Sequence, residues 1–251
     1  MINSPEICMR VKNISRNFGG LQALKNVSFD VGTQQIFGIM GPNGAGKTTL
    51  LNILSGFDIA SSGGLELQGK NILGHSASQI ARLGVARTFQ NIRLWKQQSV
   101  FWNVKMGFGN ENHKSTSNSM TVDCLKSCGL EKYSGMPAGL LPYGIQRRVE
   151  IARAIAVTQS NEFGKLMLLD EPAAGLDLVE KNELAEFLVQ IQSELKLSLI
   201  LIEHHVPLMM RICQRLAVLD FGNCIAIGTP QEISEHPEVI AAYLGTEDTH
   251  A

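Results

Sequence analysis

A glycine-rich stretch between two apolar segments constrains the fold of this 251-residue chain more than any other feature. Residues 41–49 read Gly-Pro-Asn-Gly-Ala-Gly-Lys-Thr-Thr and fit the phosphate-loop pattern G-x-x-x-x-G-K-S/T at every fixed position. The apolar run Ile36–Met40 before them predicts a buried strand, and the spacing of Thr48–Leu54 after them predicts a helix. In that context, successive backbone N–H groups and a helix N-terminus face phosphate oxygens.

The residue types of this stretch, called the phosphate loop below, fit the same chemistry. Its three glycines let the backbone turn tightly. The amine of Lys47 is expected to reach the outer phosphates, and the Thr48 hydroxyl to ligate Mg²⁺. The alternative is a glycine-rich turn that matches by chance, which the flanking strand and helix disfavour. We therefore predict a nucleotide site formed by Gly41, Pro42, Asn43, Gly44, Ala45, Gly46, Lys47, Thr48 and Thr49.

A second apolar run, Leu166–Leu169, ends in two acidic residues, Asp170 and Glu171. A buried parallel strand delivers such carboxylates to the carboxyl edge of a sheet, where α/β folds bind ligands. Asp170 is expected to hold the Mg²⁺ shell, and Glu171 to orient or deprotonate the attacking water, which contributes roughly 10²- to 10⁴-fold in rate. Two acids that merely cap a strand end are the alternative, which the phosphate loop disfavours.

Three further side chains are candidates, each with a structural alternative. Phe18 lies on a glycine-rich turn, where it either stacks on adenine or is an ordinary core or turn aromatic. Gln90 carries a donor and an acceptor, so it either contacts Mg²⁺ or the attacking water or is a buried structural glutamine. His204 follows the apolar run Leu199–Ile202 and can sense a γ-phosphate, whereas a lone histidine there would more often be structural.

Charge and hydropathy exclude several classes of protein. The net charge of −1 disfavours a nucleic-acid-binding protein. No apolar run approaches the roughly 18 residues of a membrane-spanning helix, and Met1–Arg10 shows no signal-peptide core, so we expect a cytoplasmic chain. The five cysteines do not form a metal-type pair of pairs, although Cys124 and Cys128 lie four residues apart. We expect them to be reduced thiols.

The pattern along the chain predicts one α/β domain with an inserted lobe. Residues 7–31 are expected to form short antiparallel strands with turns at 18–20 and 25–26, and a hairpin turns at 68–69 after a break at 61–64. Residues 109–121 predict an exposed loop. Both tryptophans lie within 94–102, a cluster that is either core or a partner surface. Helices are expected at Val122–Cys128, Gln146–Val157, Leu178–Leu195 and Gln231–Leu244.

Together these motifs resemble, in kind and order, those of the ATP-binding subunits of ABC transporters over essentially the whole chain. The correspondences are the phosphate loop with Walker A, Gln90 with the Q-loop, Leu141–Ile145 with the signature, Leu166–Glu171 with Walker B, Ala174–Asp177 with the D-loop, His204 with the switch histidine and Phe18 with the adenine-stacking aromatic. The resemblance implies a P-loop NTPase (RecA-like) core, an N-terminal antiparallel β subdomain and an inserted α-helical subdomain. It divides the single domain 1–251 into core with β subdomain at 1–90 and 159–230, helical subdomain at 91–158 and helical tail at 231–251.

Four segments look like the ATPases of branched-chain amino acid importers: Leu141–Gly144, Gln146–Ala154, Asp170–Leu176 and Ala242–Gly245. This resemblance implies ATP and Mg²⁺ as cofactors, and a dimer with a second ABC ATPase, identical or different, in which Gly144 and Asp177 contact nucleotide. It further implies two transmembrane permease subunits, an external solute-binding protein acting indirectly, no nucleic-acid partner, and a peripheral position on the cytoplasmic face of the inner membrane.

The signature segment, Leu141–Ile145, departs from the common pattern L-S-G-G-Q. Pro142 replaces a serine that hydrogen-bonds the γ-phosphate, and Ile145 replaces a glutamine. We expect Gly144 and the helix N-terminus to carry most of that phosphate contact. The departure leaves open a regulatory subunit with weak hydrolysis, and the Gln146–Ala154 segment is also similar to that of a lipopolysaccharide exporter ATPase.

Overall fold

Two β-sheets organise the structure, a computed structural model that describes residues 6–109, 114–161 and 163–244. The strands are β1 Ile7–Phe18, β2 Leu21–Gly32, β3 Ile36–Met40, β4 Ser62–Leu67, β5 Lys70–Asn71, β6 Val85–Arg87, β7 Leu166–Asp170, β8 Ser198–Ile202, β9 Arg215–Asp220 and β10 Asn223–Gly228. The smaller sheet is antiparallel, with the order β2-β1-β4-β5. The larger sheet has the order β10-β9-β3-β8-β7-β6, parallel except for the β9–β10 pair.

Buried apolar strands form the middle of the larger sheet. Every residue of β3, β7 and β8 is buried, as expected for parallel strands covered on both faces. Their side chains alternate between two hydrophobic clusters, so that Ile36 and Met40 join one and Phe37 and Ile39 the other. Because β3 and β7 both pair in parallel with β8, the phosphate loop and Asp170 leave the sheet at the same edge.

The helices lie around this larger sheet. They are α1 Lys47–Leu54, α2 Ala77–Arg82, α3 Val100–Lys105, α4 Lys114–Ser127, α5 Tyr143–Gln159, α6 Leu178–Leu195, α7 Val206–Ile212, α8 Pro230–Ser234 and α9 Pro237–Leu244. Helices α3, α4 and α5 come between β6 and β7, so they form a lobe inserted into the connectivity of the sheet. The predicted α/β class, with an antiparallel N-terminal sheet and inserted helices, is confirmed.

The predicted turn at residues 25–26 is wrong. Both residues lie within β2, where the pairing with β1 shifts register and Asn26 takes φ 50°. The N–H of Asn26 donates to the Ser15 hydroxyl at 2.9 Å, and that hydroxyl lies 3.1 Å from the Asn26 side-chain oxygen. A β-bulge therefore accommodates this asparagine without ending the strand. The break predicted at 61–64 is also wrong from Ser62 onwards, because β4 starts there.

The exposed loop predicted at 109–121 is wrong from Lys114 onwards, because α4 begins there; residues 110–113 lie outside the described part. Ser117 and Thr121 are buried, and the Thr121 hydroxyl donates to the Ser117 carbonyl at 2.6 Å. Their polar side chains mask the apolar face of this helix in the sequence, since a hydroxyl that bonds its own helix backbone can be buried.

The bounds of two other predicted helices also differ from the observed ones. Helix α5 starts at Tyr143, three residues before the expected Gln146, and Pro142 fills the position before its first turn. The tail divides into α8 and α9 because Pro237 cannot continue a helix, and residues 245–251 of the expected tail lie outside the described part. Helices α2, α3 and α7 were not predicted.

Candidate active site

A cleft of about 440 Å³ lies above the phosphate loop. Its floor is formed by residues 43–49, and the ends of the two sheets supply its walls. The remaining lining residues are Phe18, Leu21, Gln22, Ala23, Lys25, Glu171, His204 and Phe221. The cleft therefore brings together Walker A-like, Walker B-like and switch-like residues, which lie at positions 43–49, 171 and 204 of the sequence.

The phosphate loop adopts the turns that its glycines predict. Gly41, Gly44 and Gly46 take φ of 148°, 80° and 103°, values that side chains disfavour. Lys47, in the first turn of α1, curls back so that its amine donates to the carbonyls of Gly41 at 2.8 Å and Pro42 at 2.9 Å. Burial lowers the pKa of Lys47, and the negative charge of Glu171 opposes this shift. A positive amine thus lies at the mouth of the loop.

Glu171 is held by two polar side chains from different elements. The Gln90 amide donates to its Oε2 at 2.7 Å, and His204 Nε2 lies 2.9 Å from its Oε1. The backbone of Glu171 is left-handed, with φ 46°, and its N–H donates to the Ile202 carbonyl at 2.9 Å. A non-glycine residue in this region costs about 1–3 kcal/mol. The fold therefore uses strain to aim this carboxylate at the cleft.

Asp170 is neutralised by an arginine to which sequence reasoning assigned no role. Arg87 Nη2 donates to Asp170 Oδ2 at 2.9 Å, while Nη1 donates to the side chains of Asn52 and Ser55, each at 2.8 Å. The carboxylate and the guanidinium are both nearly buried. Burial lowers the pKa of Arg87, and Asp170 opposes that shift. The location of Arg87 at the end of β6, beside β7, could have been inferred from the predicted parallel sheet.

Two more groups escaped sequence reasoning. Glu203 is buried and accepts hydrogen bonds from the N–H groups of Ala173 at 2.6 Å and His204 at 3.2 Å. Burial raises the pKa of Glu203, and these N–H groups partly offset the effect. Tyr243 in α9 forms a hydrogen bond with the backbone of Gly41. Burial raises the pKa of Tyr243, and that bond partly offsets the effect. The C-terminal helix therefore contacts the first residue of the phosphate loop.

Phe18 stands at the open end of the cleft with almost half of its surface exposed. The Arg16 guanidinium lies 4.4 Å from its ring centroid and is itself paired with Asp58 at 2.7 Å. One ring face is thus covered by a fixed cation. Phe18 therefore lines the cleft, and its stacking on adenine stays a prediction.

Gly144 and Asp177 do not line this cleft. Pro142 is exposed at the start of α5, and no side chain caps this helix. A Cβ added to Gly144 would lie 2.9 Å from Glu180 Oε1, and Asp177 caps α6 by accepting from the Glu180 N–H at 2.8 Å. The signature segment and the D-loop-like turn therefore pack against each other, apart from the phosphate loop of the same chain.

Comparisons with known proteins agree with this geometry. A family model described as ABC transporter matches residues 24–174, and one described as Branched-chain amino acid ATP-binding cassette transporter matches residues 224–249. The chain is 38% identical to the high-affinity branched-chain amino acid transport ATP-binding protein LivG of Salmonella typhimurium, over 94% of this chain and 97% of the relative. This chain belongs to the ABC transporter ATP-binding family.

Other relatives of this ABC ATPase support the assignment. It is 35% identical to the branched-chain amino acid transport ATP-binding protein BraF of Pseudomonas aeruginosa, with 94% of this chain and 97% of the relative covered. Its structure is similar to the ADP conformation of MJ1267, an ATP-binding cassette of an ABC transporter, with a TM-score of 0.84 and 26% identity over 96% of this chain and 100% of the other. The P-loop NTPase core predicted from the sequence is confirmed.

Proposed function

We propose that this ABC ATPase hydrolyses ATP to drive the import of branched-chain amino acids or related small solutes. The observation that carries the proposal is Glu171, held by Gln90 and His204 at the mouth of a cleft that the phosphate loop lines. The LivG and BraF relatives, whose names specify branched-chain amino acid transport, support the solute class.

The proposed reaction uses four side chains that line the cleft, Phe18, Lys47, Glu171 and His204, together with Gln90, which contacts Glu171. N–H groups of the phosphate loop and the Lys47 amine bind the β- and γ-phosphates, and Phe18 stacks on the adenine. Glu171 accepts a proton from a water whose oxygen bonds to the γ-phosphorus as the bond to the bridging oxygen of ADP breaks. His204 and Gln90 orient the carboxylate and the water. ADP and inorganic phosphate then leave.

The residues present fit a Mg²⁺ ion. A Mg²⁺ bound with a nucleotide usually takes only one or two protein ligands and completes its shell with phosphate oxygens and water. The Thr48 hydroxyl belongs to the first turn of α1, and Asp170 and Gln90 belong to the edge that carries Glu171. We propose these three side chains as the Mg²⁺ ligands, with one or two of them bound to the ion directly and the rest through water. The bound ion would neutralise charge that develops on the phosphates.

We further propose that hydrolysis requires a second ABC ATPase, identical or different, whose signature segment completes the site of this chain. Gly144 and Asp177 of this chain would complete the site of the second ATPase in the same way. The separation of the signature segment from the phosphate loop within one chain supports this proposal.

We also propose the division of the chain that the sequence predicts. The core with the β subdomain comprises residues 1–90 and 159–230, the helical subdomain residues 91–158 and the tail residues 231–251.

A groove between the core and the helical lobe is the proposed dock for the permease. It has a volume of about 240 Å³ and presents aromatic rings from both sides, including Phe57, Phe89 and Trp95. Phe57 and Trp95 are half-exposed, and the ring of Trp102 packs edge-on against that of Trp95, with their centroids 5.0 Å apart.

Among the described residues, no helix has the length and apolar character to span a bilayer. We propose peripheral attachment at the cytoplasmic face of the inner membrane, with the external solute-binding protein acting through the permease.

Steady-state ATPase of the purified chain beside a Glu171→Gln variant tests the proposal. Turnover that depends on Mg²⁺ and falls by at least about 100-fold in the variant is expected, because the amide cannot accept the proton. Glu186→Gln, which changes an exposed carboxylate on α6, is the matched control and should leave turnover unchanged. Equal turnover in wild type and Glu171→Gln would exclude the proposed base.

A further inference from the structure

Arg147 is the largest fully buried side chain in the described part of the molecule, although arginine normally keeps its charge in water. It lies in the second turn of α5, directly after the signature segment. Glu150, one turn later and equally buried, accepts from Arg147 Nη1 at 2.6 Å. Glu150 neutralises the charge of Arg147, but this bond uses only one of the five N–H donors of the guanidinium.

Two of the remaining N–H groups of Arg147 hold the backbone that carries Gln90. Nη1 donates to the Phe89 carbonyl at 2.8 Å, and Nη2 donates to the Gln90 carbonyl at 2.7 Å. Glu150 Oε1 accepts from the N–H of Arg93 at 3.2 Å. The two residues of α5 thus grip the segment 89–93 at three backbone positions. A lysine lacks this planar fork, so it could not hold both carbonyls and Glu150 in the same geometry.

The same guanidinium also contacts the start of α5. Arg147 Nη2 donates to the Tyr143 hydroxyl at 3.3 Å. The ring of Tyr143 lies beside Gly175, since a Cβ added to that glycine would be 3.3 Å from it. Arg147 therefore joins three parts of the chain: the signature segment, the turn 174–177 and the Gln90 segment.

Gln90 continues this connection into the cleft. Its carbonyl is held by Arg147, and its side-chain amide donates to Glu171, which also contacts His204. An unbroken series of hydrogen bonds thus runs from Tyr143 through Arg147, Gln90 and Glu171 to His204. Each contact is 3.3 Å or shorter.

We infer that Arg147 is a positioning residue, which fixes the Gln90 backbone to α5 so that the Gln90 amide meets Glu171 only when the signature segment is in place. The inference rests on the proposed function, in which that segment contacts the nucleotide of the other cassette. Binding at one nucleotide site would then move α5, and with it the glutamine that orients the base of the second site. Hydrolysis at the two sites is thereby coupled through one buried side chain.

A double-mutant cycle with Arg147→Lys and Gln90→Ala tests the inference. Lysine keeps the positive charge beside Glu150, but its three donors lack the planar fork that bonds Glu150, the two carbonyls and Tyr143 at once. We expect kcat to fall about tenfold in Arg147→Lys with the KM for ATP within about twofold, because orientation rather than binding is lost. In the Gln90→Ala background, Arg147→Lys should have no further effect on kcat. Effects that multiply would show that Arg147 acts independently of Gln90 and would overturn the inference.

Asn103→Ala is the matched control for a purely structural loss. Asn103 is also fully buried in the helical lobe and also holds backbone, since its amide donates to the carbonyls of Trp95, Gln98 and Ser99. It should lower the unfolding temperature without reducing kcat by more than about twofold. A tenfold loss of kcat in this control would mean that destabilisation alone explains Arg147→Lys, and the inference would fail.

Amide hydrogen exchange separates this inference from the proposed function. Faster exchange of residues 89–93 in Arg147→Lys, with exchange of β7 unchanged, is expected even if the wild type shows no turnover. Unchanged exchange of that segment would overturn the inference even in a fully active ATPase. Absent wild-type turnover would instead count against the proposed function.

Discussion

Two helix N-termini of this ABC ATPase look equivalent by their position in the sequence motifs and differ in everything that they offer a phosphate. The phosphate loop before α1 has three glycines with positive φ, and its Lys47 and Thr48 both line the cleft. The signature segment before α5 presents Pro142, the half-exposed ring of Tyr143 and Gly144, with no side-chain cap. One end is equipped for an anion within its own chain, and the other is not.

The difference indicates where each site is completed. Lys47 and the loop N–H groups supply charge and donors without help, so nucleotide binding should be a property of the single chain. The start of α5 supplies only backbone N–H groups and the helix dipole, worth about 0.3–1 kcal/mol for an exposed charge. Its contribution becomes significant only against a nucleotide already held elsewhere, which is why we assign it to a second cassette.

The largest effect is expected from breaking the first region with Lys47→Ala. Loss of a positioned charge at the phosphates should lower turnover by at least about 100-fold and weaken ATP binding. Lys12→Ala, which removes an exposed amine paired with Glu66, is the control. Binding of a fluorescent ATP analogue and phosphate release measure the two effects. Wild-type affinity in Lys47→Ala would contradict the assignment of the cleft.

A substitution in the signature segment should lower turnover without lowering ATP affinity. Gly144→Asp puts a carboxylate beside the expected phosphate and beside Glu180, whose Oε1 would lie only 2.9 Å from the added Cβ. We expect ATP affinity of the single chain within about twofold of wild type and turnover lowered about 30-fold or more, since only the contact made across chains is lost. Gly135→Asp, with open space around its Cα, is the control. A loss of ATP affinity in Gly144→Asp would show that Gly144 belongs to the same nucleotide site as the phosphate loop of its own chain, which would contradict the account.

Restoring the common signature should have a much smaller effect. Pro142→Ser with Ile145→Gln adds a hydroxyl and an amide, but Ile145 packs against the main hydrophobic cluster, so glutamine costs packing there. We expect turnover to rise by only about two- to fivefold, because the backbone at Gly144 already makes most of the phosphate contact. A rise of about 100-fold would show that the missing serine limits hydrolysis. The ATPase rate and the unfolding temperature should be measured together.

The smallest effect is expected from the cysteines, which belong to neither region. All five are free, and burial raises the pKa of Cys213 to about 12 and that of Cys224 to about 11. At pH 8 only about one thiol in 10³ to 10⁴ is therefore ionised at these positions. Iodoacetamide at pH 8 should leave turnover unchanged. Labelling of Cys224 followed by mass spectrometry should rise about tenfold per pH unit up to the onset of unfolding.

The local structure of the phosphate loop was predictable, whereas the start of α5 at the signature segment was predicted three residues too late. The phosphate loop is a contiguous segment whose glycines, lysine and flanking strand and helix all indicate the same local structure. Glu171 was predictable as well, since a strand end places it at the ligand edge. Its left-handed backbone was not predictable, because strain of this kind is imposed by the surrounding fold.

The contacts that connect the regions depend on tertiary structure. Arg147 is one of three arginines on α5 in the sequence, and only the packing of that helix against residues 89–93 reveals which one is buried. Arg87 could have been paired with Asp170 from the strand order. Polar helix α4 and the bulge at Asn26 were misread because hydrogen bonds within the fold override local propensity.

The most direct test of the account is the dependence of turnover per mole of chain on protein concentration. If one cassette supplies the phosphate loop and another the signature segment, turnover per mole should rise with concentration by mass action, and Glu171→Gln should accumulate a dimer with ATP but not with ADP. Sedimentation velocity on the same samples measures that dimer. Turnover per mole that stays constant over about three decades of concentration, with only monomers present, would contradict the division of the site between two chains.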